Sequence, residues 1–173
     1  MAHYLNTILA LLTIGGQILI VLLILSILSK NKNQLTALVT KHAILFSFVI
    51  ALSAMLGSLT YSEIIGYDPC KLCWIQRIFI YPLVFMLGIA YWKKHSMIRI
   101  YAMTFSAIAG IIALYQYLLQ IGFVKTTACD VVGYSVSCSQ RFTMNFGYIT
   151  IPMMALTTCA LIFTFFYVQK KSE

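Results

Sequence analysis

The segment PCKLCWIQRIFIYPLVFMLGIAYW, residues 69–92, places two cysteines and an arginine at the beginning of a long apolar run. The run from Trp74 to Trp92 is close to the roughly 20 residues that an α-helix needs to cross a bilayer core. Because backbone polar groups in lipid must be satisfied within the segment, this run predicts a membrane-spanning helix. The thiols of Cys70 and Cys73 then lie at the edge of the membrane.

Four further apolar runs predict four more membrane helices, over residues 5–28, 43–62, 98–121 and 148–168. Hydrophobic residues make up 61% of the 173-residue chain and charged residues 9%, against roughly 45–50% and about 25% in soluble proteins. The net charge of +8 does not indicate a nucleic-acid-binding protein, because the basic residues are confined to short gaps between the apolar runs. We therefore expect an all-α integral membrane protein.

The basic residues predict how the chain is oriented in the membrane. Eight of the twelve lie in the gaps after the first and third runs or in the tail: Lys30, Lys32, Lys41, Lys93, Lys94, Arg99, Lys170 and Lys171. The positive-inside rule makes that side cytoplasmic. The amino terminus and the loops at about 63–73 and 122–147 are then extracytoplasmic, and the carboxyl terminus is cytoplasmic. The first run is expected to be a retained helix, since it lacks the basic region and the cleavage site of a signal peptide.

Four of the five cysteines fall in the two loops assigned to the extracytoplasmic side. Cys70 and Cys73 lie in the first loop, and Cys129 and Cys138 lie in the second. Disulfides persist in such a compartment. Cys159 lies inside the fifth run, where we expect it to be a buried packing residue.

A Cys-x-x-Cys pair is typical of a structural disulfide, of half a zinc site or of a redox-active dithiol. A zinc site would need four free thiolates, which an oxidising compartment does not favour. A structural bond across so small a loop would add little stability. We therefore favour the redox-active dithiol, while the other two interpretations stay open, and we expect no metal site.

The residues around Cys73 support this preference. Cys73 lies at or just before the first turn of a helix that begins near Trp74, where unpaired N–H groups and the helix dipole favour a thiolate. Arg77 follows four residues later and faces the same side. We expect Arg77 to stabilise an anion, either the thiolate or a reduced acceptor; the alternative is an arginine that extends to lipid phosphates.

The acceptor of the electrons is inferred by elimination. The sequence has no glycine-rich dinucleotide fingerprint and no Cys-x-x-Cys-His haem motif. A dithiol at the membrane edge needs a carrier that dissolves in lipid, and a quinone meets that need. An unrecognised bound cofactor is the alternative.

Four stretches resemble the DsbB family of thiol oxidases, most closely its BdbC branch: AMLGSLTYSEI, the segment 69–92, ACDVVGYSVSCSQ and NFGYITIPMMAL. The resemblance covers about residues 43–170, which we expect to form one redox domain. Residues 1–42 then form an additional transmembrane helix and a cytoplasmic loop. The implied fold is a four-helix transmembrane bundle of the DsbB type with one extra helix at the amino terminus.

The resemblance also implies the chemistry. It implies that Cys70–Cys73 cycles between disulfide and dithiol, that Cys73 meets a quinone (menaquinone or ubiquinone), and that Arg77 lies near the quinone ring. Cys129 and Cys138 would receive electrons from an extracytoplasmic thioredoxin-like thiol oxidase, which attacks Cys129.

Gln116 departs from the family pattern, because it stands where many relatives carry histidine. It is expected to be a neutral second contact to the quinone, or else to bond only between helices, as polar residues in membrane helices often do. Gln76 is expected to be a packing or hydrogen-bonding residue.

The predicted function is that of a protein dithiol:quinone oxidoreductase in a bacterial cell membrane, which reoxidises its partner and delivers electrons to the membrane quinone pool. The alternative is a non-enzymatic polytopic membrane protein whose outer loops carry structural disulfides.

Overall fold

The computed structural model describes residues 2–29, 34–94, 97–124 and 137–172. These residues form five long helices: α1 (Ala2–Leu28), α2 (Gln34–Leu59), α3 (Lys71–Lys93), α4 (Ile98–Gln120) and α5 (Ile151–Ser172). A π-helical turn, Thr60–Ile64, continues α2. All five are long and apolar enough to cross a membrane, so the prediction of a multi-pass helical membrane protein is confirmed.

Four of the helices close into a ring. α2 packs against α3 and α5, and α4 packs against the same two helices, while α1 lies outside the ring along α5. The bundle of four with one additional helix is therefore the fold expected from the sequence. The division of the chain into residues 1–42 and 43–170 as separate units stays a prediction.

The interior of the ring is apolar and closely packed. Leu87 and Phe166 are completely buried there, together with Leu83 and Ile162. Small residues bring α4 and α5 together, since a methyl group added at Gly110 would lie 3.4 Å from Cys159 Cβ. Cys159 is 2% exposed, which confirms it as a buried packing residue.

Besides α1, which begins at Ala2 rather than at residue 5, two helices begin earlier than the apolar runs predicted. α2 begins at Gln34 rather than near residue 43 and includes Lys41, with a non-helical residue at His42 (φ −116°, ψ 20°). α3 begins at Lys71 rather than near Trp74. Both helices continue past their apolar segments, and hydropathy detects only the part of a helix that would lie in lipid.

The chain segments before α3 and before α5 pack together at one end of the bundle, which we call the cysteine end because Cys70 and Cys138 lie there. The Tyr67 and Phe142 rings, one from each segment, stack with centroids 4.8 Å apart. Before α5, Phe146 and Gly147 take positive φ values (52° and 80°), and residues 145 and 149 pair by two backbone hydrogen bonds. α5 therefore begins at Ile151, three residues later than predicted.

Candidate redox site

Cys70 and Cys73 lie at the amino-terminal end of α3. Cys70 is the N-cap residue, with extended backbone (φ −69°, ψ 170°), and Cys73 is in the first helical turn. Both are free thiols, and their sulfur atoms lie 3.2 Å apart. The unpaired N–H groups of the first turn give this end of the helix a positive potential, which favours negative charge on Cys73 Sγ.

The pair is asymmetric. Cys70 is 3% exposed, whereas Cys73 is partly exposed. The hydrogen bond with Cys73 raises the pKa of the Cys70 thiol far above its ordinary value, with burial as the next cause and Cys138 as a small one. Cys70 therefore keeps its proton at neutral pH.

Gln116 of α4 contacts both sulfur atoms. Its Nε2 lies 3.2 Å from Cys70 Sγ and 3.2 Å from Cys73 Sγ, and its Oε1 accepts a hydrogen bond of 2.6 Å from Gln76 Nε2. Because Gln76 occupies the amide oxygen, the amino group of Gln116 is directed at the thiols. Gln116 therefore forms a hydrogen bond between α3 and α4, which is one of the two roles that the sequence predicted for it. Gln76 forms the other half of this bond, as expected of a packing or hydrogen-bonding residue.

The contact between Gln116 and the cysteines was not predicted from the sequence. A usable signal was present, because a buried amide in a membrane helix needs a partner. Gln76 follows Cys73 by three residues, so the two side chains share a face of α3. A second glutamine on a neighbouring helix is then the natural partner for that face.

Arg77 extends toward α2. Its Nε donates to Ser58 Oγ (3.0 Å) and its Nη2 donates to the Ser58 carbonyl oxygen (3.1 Å). The guanidinium also lies over the Trp74 ring, 5.1 Å from the centroid, and near the Tyr81 ring at 5.9 Å. Ser58, which sequence reasoning missed, therefore fixes the guanidinium inside the protein.

A cavity of about 530 Å³ begins at these residues. Cys73, Gln76, Arg77 and Gln116 line its polar end, while Cys70 does not line it. The remaining wall is largely aliphatic and comes from α1, α2 and α5: Leu9, Leu12, Leu19, Val49, Ile50, Ala54 and Leu161 among others. A pocket of this volume and polarity suits a small molecule with an apolar body and one polar group.

Cys138 lies behind the pair, away from the cavity. It is 2% exposed and belongs to one buried cluster with Cys70 and Leu119. The segment that carries it is held to the end of α4, because Gln120 Nε2 donates to the Gln140 carbonyl oxygen (3.0 Å) and Arg141 Nε donates to the Gln120 carbonyl oxygen.

Three of the four predicted redox cysteines therefore converge at the cysteine end. The fourth, Cys129, lies outside the described residues. Among the residues that the structure describes, no three His, Cys, Asp or Glu side chains are gathered as a metal site requires.

Comparison with known proteins places this geometry in context. A family model described as disulfide bond formation protein DsbB matches residues 40–169. Disulfide bond formation protein C of Bacillus subtilis is 44% identical over 140 residues, which cover 77% of this chain and 99% of that protein. Probable disulfide formation protein C of Halalkalibacterium halodurans is 42% identical over 123 residues, 71% of this chain and 89% of the relative. No solved structure matches the chain.

Proposed function

Since the chain belongs to the DsbB family of membrane disulfide bond formation proteins, we propose that it is a protein dithiol:quinone oxidoreductase. In this proposal it oxidises an extracytoplasmic thioredoxin-like protein and passes the electrons to a membrane quinone. One observation supports the proposal above the others. The Cys73 sulfur lines an apolar cavity, while its partner Cys70 is buried beside Cys138. The Cys70–Cys73 pair thus lies between a cavity that fits a lipid-soluble ligand and a third thiol, that of Cys138.

The residues at the polar end fit a quinone. A quinone has two carbonyl oxygens on an otherwise apolar body, so it needs hydrogen-bond donors at one end of an apolar cavity. Arg77 carries N–H groups there besides the two that donate to Ser58, Gln116 lies beside Cys73, and Cys73 supplies the sulfur. A bound menaquinone or ubiquinone supplies the two-electron, two-proton acceptor that oxidises the dithiol.

The relay begins at the second cysteine pair. A thiolate of the reduced partner attacks Cys129 in the Cys129–Cys138 disulfide, and Cys138 leaves as a thiolate. The partner's second thiolate then attacks the mixed disulfide, which releases the oxidised partner and leaves Cys129 reduced. Two electrons have moved from the partner to this pair.

The next exchange runs through the buried cluster. Cys138 attacks Cys70 of the Cys70–Cys73 disulfide, and the Cys73 thiolate is the leaving group. The geometry favours this direction, since Cys70 is a buried member of the cluster with Cys138, whereas Cys73 is only partly buried against that cluster and also lines the cavity. The first turn of α3 and the amide of Gln116 stabilise the departing negative charge. Cys129 then attacks Cys138, which restores the Cys129–Cys138 disulfide and releases Cys70 as a thiol.

The dithiol returns to the disulfide as its two electrons leave through Cys73. Cys70 loses its proton in this step, and that proton together with one from solvent would balance the two electrons that leave through Cys73. Buried Leu119 and the aliphatic wall limit access of water to the sulfurs.

We further propose that the cysteine end faces the extracytoplasmic side. This orientation rests on the positive-inside rule, since the amino terminus would lie outside and the lysine-rich carboxyl terminus in the cytoplasm. A membrane-impermeant maleimide should label reduced Cys73 in intact spheroplasts. Labelling that requires disruption of the membrane would contradict the orientation.

The function is tested by turnover. The purified protein, given a reduced thioredoxin-like protein and a soluble quinone, should form quinol, and Cys73→Ser should abolish that reaction. A Cys73→Ser variant with wild-type turnover would overturn the relay. The non-enzymatic alternative predicts instead that all four cysteines stay oxidised in cells when thiols are trapped by alkylation.

A further inference from the structure

Helix α1 lies outside the residues that match the family, which begin at residue 40, yet it lines the same cavity as Cys73. We propose that α1 and α2 form a lateral portal to the bilayer, in which the isoprenoid tail of the quinone lies. The inference rests on the proposed function and assigns a ligand-binding role to the added helix. We call the opening the α1–α2 slot, bounded by Leu12 and Gly15 on α1 and by Val49 and Ser53 on α2.

α1 is fixed to the bundle at the cysteine end. The Tyr61 hydroxyl donates to Asn6 Oδ1 at 2.6 Å, and Asn145 Nδ2 donates to the Asn6 carbonyl oxygen at 3.0 Å. One turn further along, Leu9 approaches Gly57 of α2, where an added methyl group would lie 3.5 Å from Leu9 Cδ1. The slot is therefore closed at this end.

α1 is also fixed at the opposite end. Leu23 is completely buried in a cluster with Val39 and Ala43 of α2 and with Phe165 of α5. The slot is thus closed near both membrane surfaces, and any opening lies at the middle of the helices.

Along its length α1 packs on α5 rather than on α2. Gln17 accepts a hydrogen bond from the Tyr148 hydroxyl (2.9 Å) and donates to Thr157 Oγ1 (3.3 Å). A methyl group added at Gly16 would approach Leu161 Cδ1 to 2.9 Å, so the two helices are in close contact there. α1 is therefore held as a rigid wall rather than loosely attached.

Between the two closed ends, α1 and α2 do not fill the space that separates them. A methyl group added at Gly15 would have no heavy atom of a neighbouring element within 4 Å. Leu12 is 62% exposed and Val49 is 50% exposed. All three residues line the cavity that ends at Cys73 and Arg77, so the cavity continues from the thiol to the lipid.

The polarity of the residues that line the cavity indicates which kind of ligand fits it. The slot is mostly aliphatic, with the Ser53 hydroxyl donating to the Val49 carbonyl oxygen, and the charged and amide groups of the lining lie at the other end of the cavity with Cys73. A molecule with a small polar ring and a long apolar tail matches this order.

The test narrows the slot and compares ligands that differ only in their tail. Gly15→Phe places a large ring in the slot, and Ile18→Phe, at a position that is 56% exposed and does not line the cavity, is the matched control. Val49→Trp gives the same test from α2. Binding of a long-tailed menaquinone and of tail-less menadione is measured as quenching of tryptophan fluorescence in detergent, and Val49→Trp is measured by competition with a labelled quinone.

We expect Gly15→Phe and Val49→Trp to weaken binding of the long-tailed quinone by at least about tenfold, the loss expected when two methylene groups of the tail leave the slot. Binding of menadione should stay within twofold, and Ile18→Phe should change neither. Equal affinities in all variants would overturn the proposal, as would an equal loss for both ligands. Release of a phospholipid from Gly15→Phe, with menaquinone binding unchanged, would instead identify an acyl chain as the occupant. If the wild-type protein binds neither quinone, the proposed function fails as a whole.

Discussion

Replacing Gln116 by leucine removes the amide that contacts both sulfurs of the Cys70–Cys73 pair while keeping a side chain of similar size. Nε2 of Gln116 lies 3.2 Å from each sulfur. The change should lower the reactivity of Cys73, because the thiolate loses a hydrogen-bond donor. It also leaves the buried Gln76 amide without its acceptor, which should cost about 1–3 kcal/mol of stability.

The size of the effect on reactivity follows from the hydrogen bond that is lost. A hydrogen bond to a charged group contributes about 1.5–3 kcal/mol, and we take about 1.5 kcal/mol for an amide that is shared between two sulfurs. That amounts to about a tenfold smaller thiolate population at a fixed pH. A less stabilised thiolate is also more nucleophilic, with a Brønsted coefficient of about 0.4–0.5, which recovers about threefold. The net rate should fall about threefold.

The assay is the initial rate of alkylation of Cys73 by iodoacetamide, read by mass spectrometry at a pH where the rate still rises with pH. Gln120→Leu is the matched control, since this residue is also buried on α4 but donates to the Gln140 carbonyl oxygen. The Gln76→Leu/Gln116→Leu double variant should regain stability and remain slow. An unchanged rate in Gln116→Leu would refute the role of the amide.

Three further predictions concern the other members of the site. Arg77→Ala should raise the KM for quinone about tenfold in steady-state assays, as the loss of a charged hydrogen bond implies; an unchanged KM would reduce Arg77 to a contact with α2. Because the pKa of Cys70 is raised, its thiolate should be scarcer than that of an ordinary thiol near neutral pH, and maleimide should modify Cys70 in the reduced protein much more slowly than a free thiol; labelling at pH 7 as fast as that of a free thiol would contradict this. In Cys138→Ser, the free Cys129 thiol should attack the disulfide of excess oxidised partner and form a mixed disulfide, which is visible as a reducible adduct on a non-reducing gel. A variant that forms no adduct would place the partner's attack at another residue.

The sequence was sufficient for the fold because its signals are long and local. Each of the five helices contains an apolar run of roughly 20 residues, and the length of a run is set by the bilayer. The helix ends were less accurate. α2 begins at Gln34 and α3 at Lys71, because the segments 34–42 and 71–73 mix polar with apolar residues and therefore do not extend the uniform apolar runs.

The site was predicted only in part, for a different reason. Cys70, Cys73 and Arg77 share one short motif, so their proximity follows from spacing on α3. The contact of Gln116 with the thiols joins two helices whose rotation about their axes is set by packing. The place of Cys138 beside Cys70 likewise depends on how a loop folds back onto the bundle. The spacing of Cys73 and Gln76 on α3 indicates that the Gln76 amide needs a partner near the thiols, but no spacing specifies that Gln116 contacts the sulfurs or that Cys138 lies beside Cys70.

The role that we propose for α1 could not be predicted from the sequence either. Its apolar run is uniform enough to predict a membrane helix and nothing further. That Gly15 faces an open space while the neighbouring Gly16 packs against Leu161 depends on how the helix sits against α5. Only the packed structure distinguishes the two glycines.

The central claim is that the dithiol of Cys70 and Cys73 gives its electrons to a quinone. The most direct measurement uses the Cys129→Ser/Cys138→Ser variant in its reduced form, mixed with one equivalent of a menaquinone analogue without any partner protein. The reaction is quenched with acid, thiols are counted by alkylation of the denatured protein and mass spectrometry, and quinol is read by its absorbance. The account predicts that Cys70 and Cys73 both become resistant to alkylation and that one quinol forms for every two thiols lost. Two thiols that remain alkylatable while the quinone is bound would contradict it.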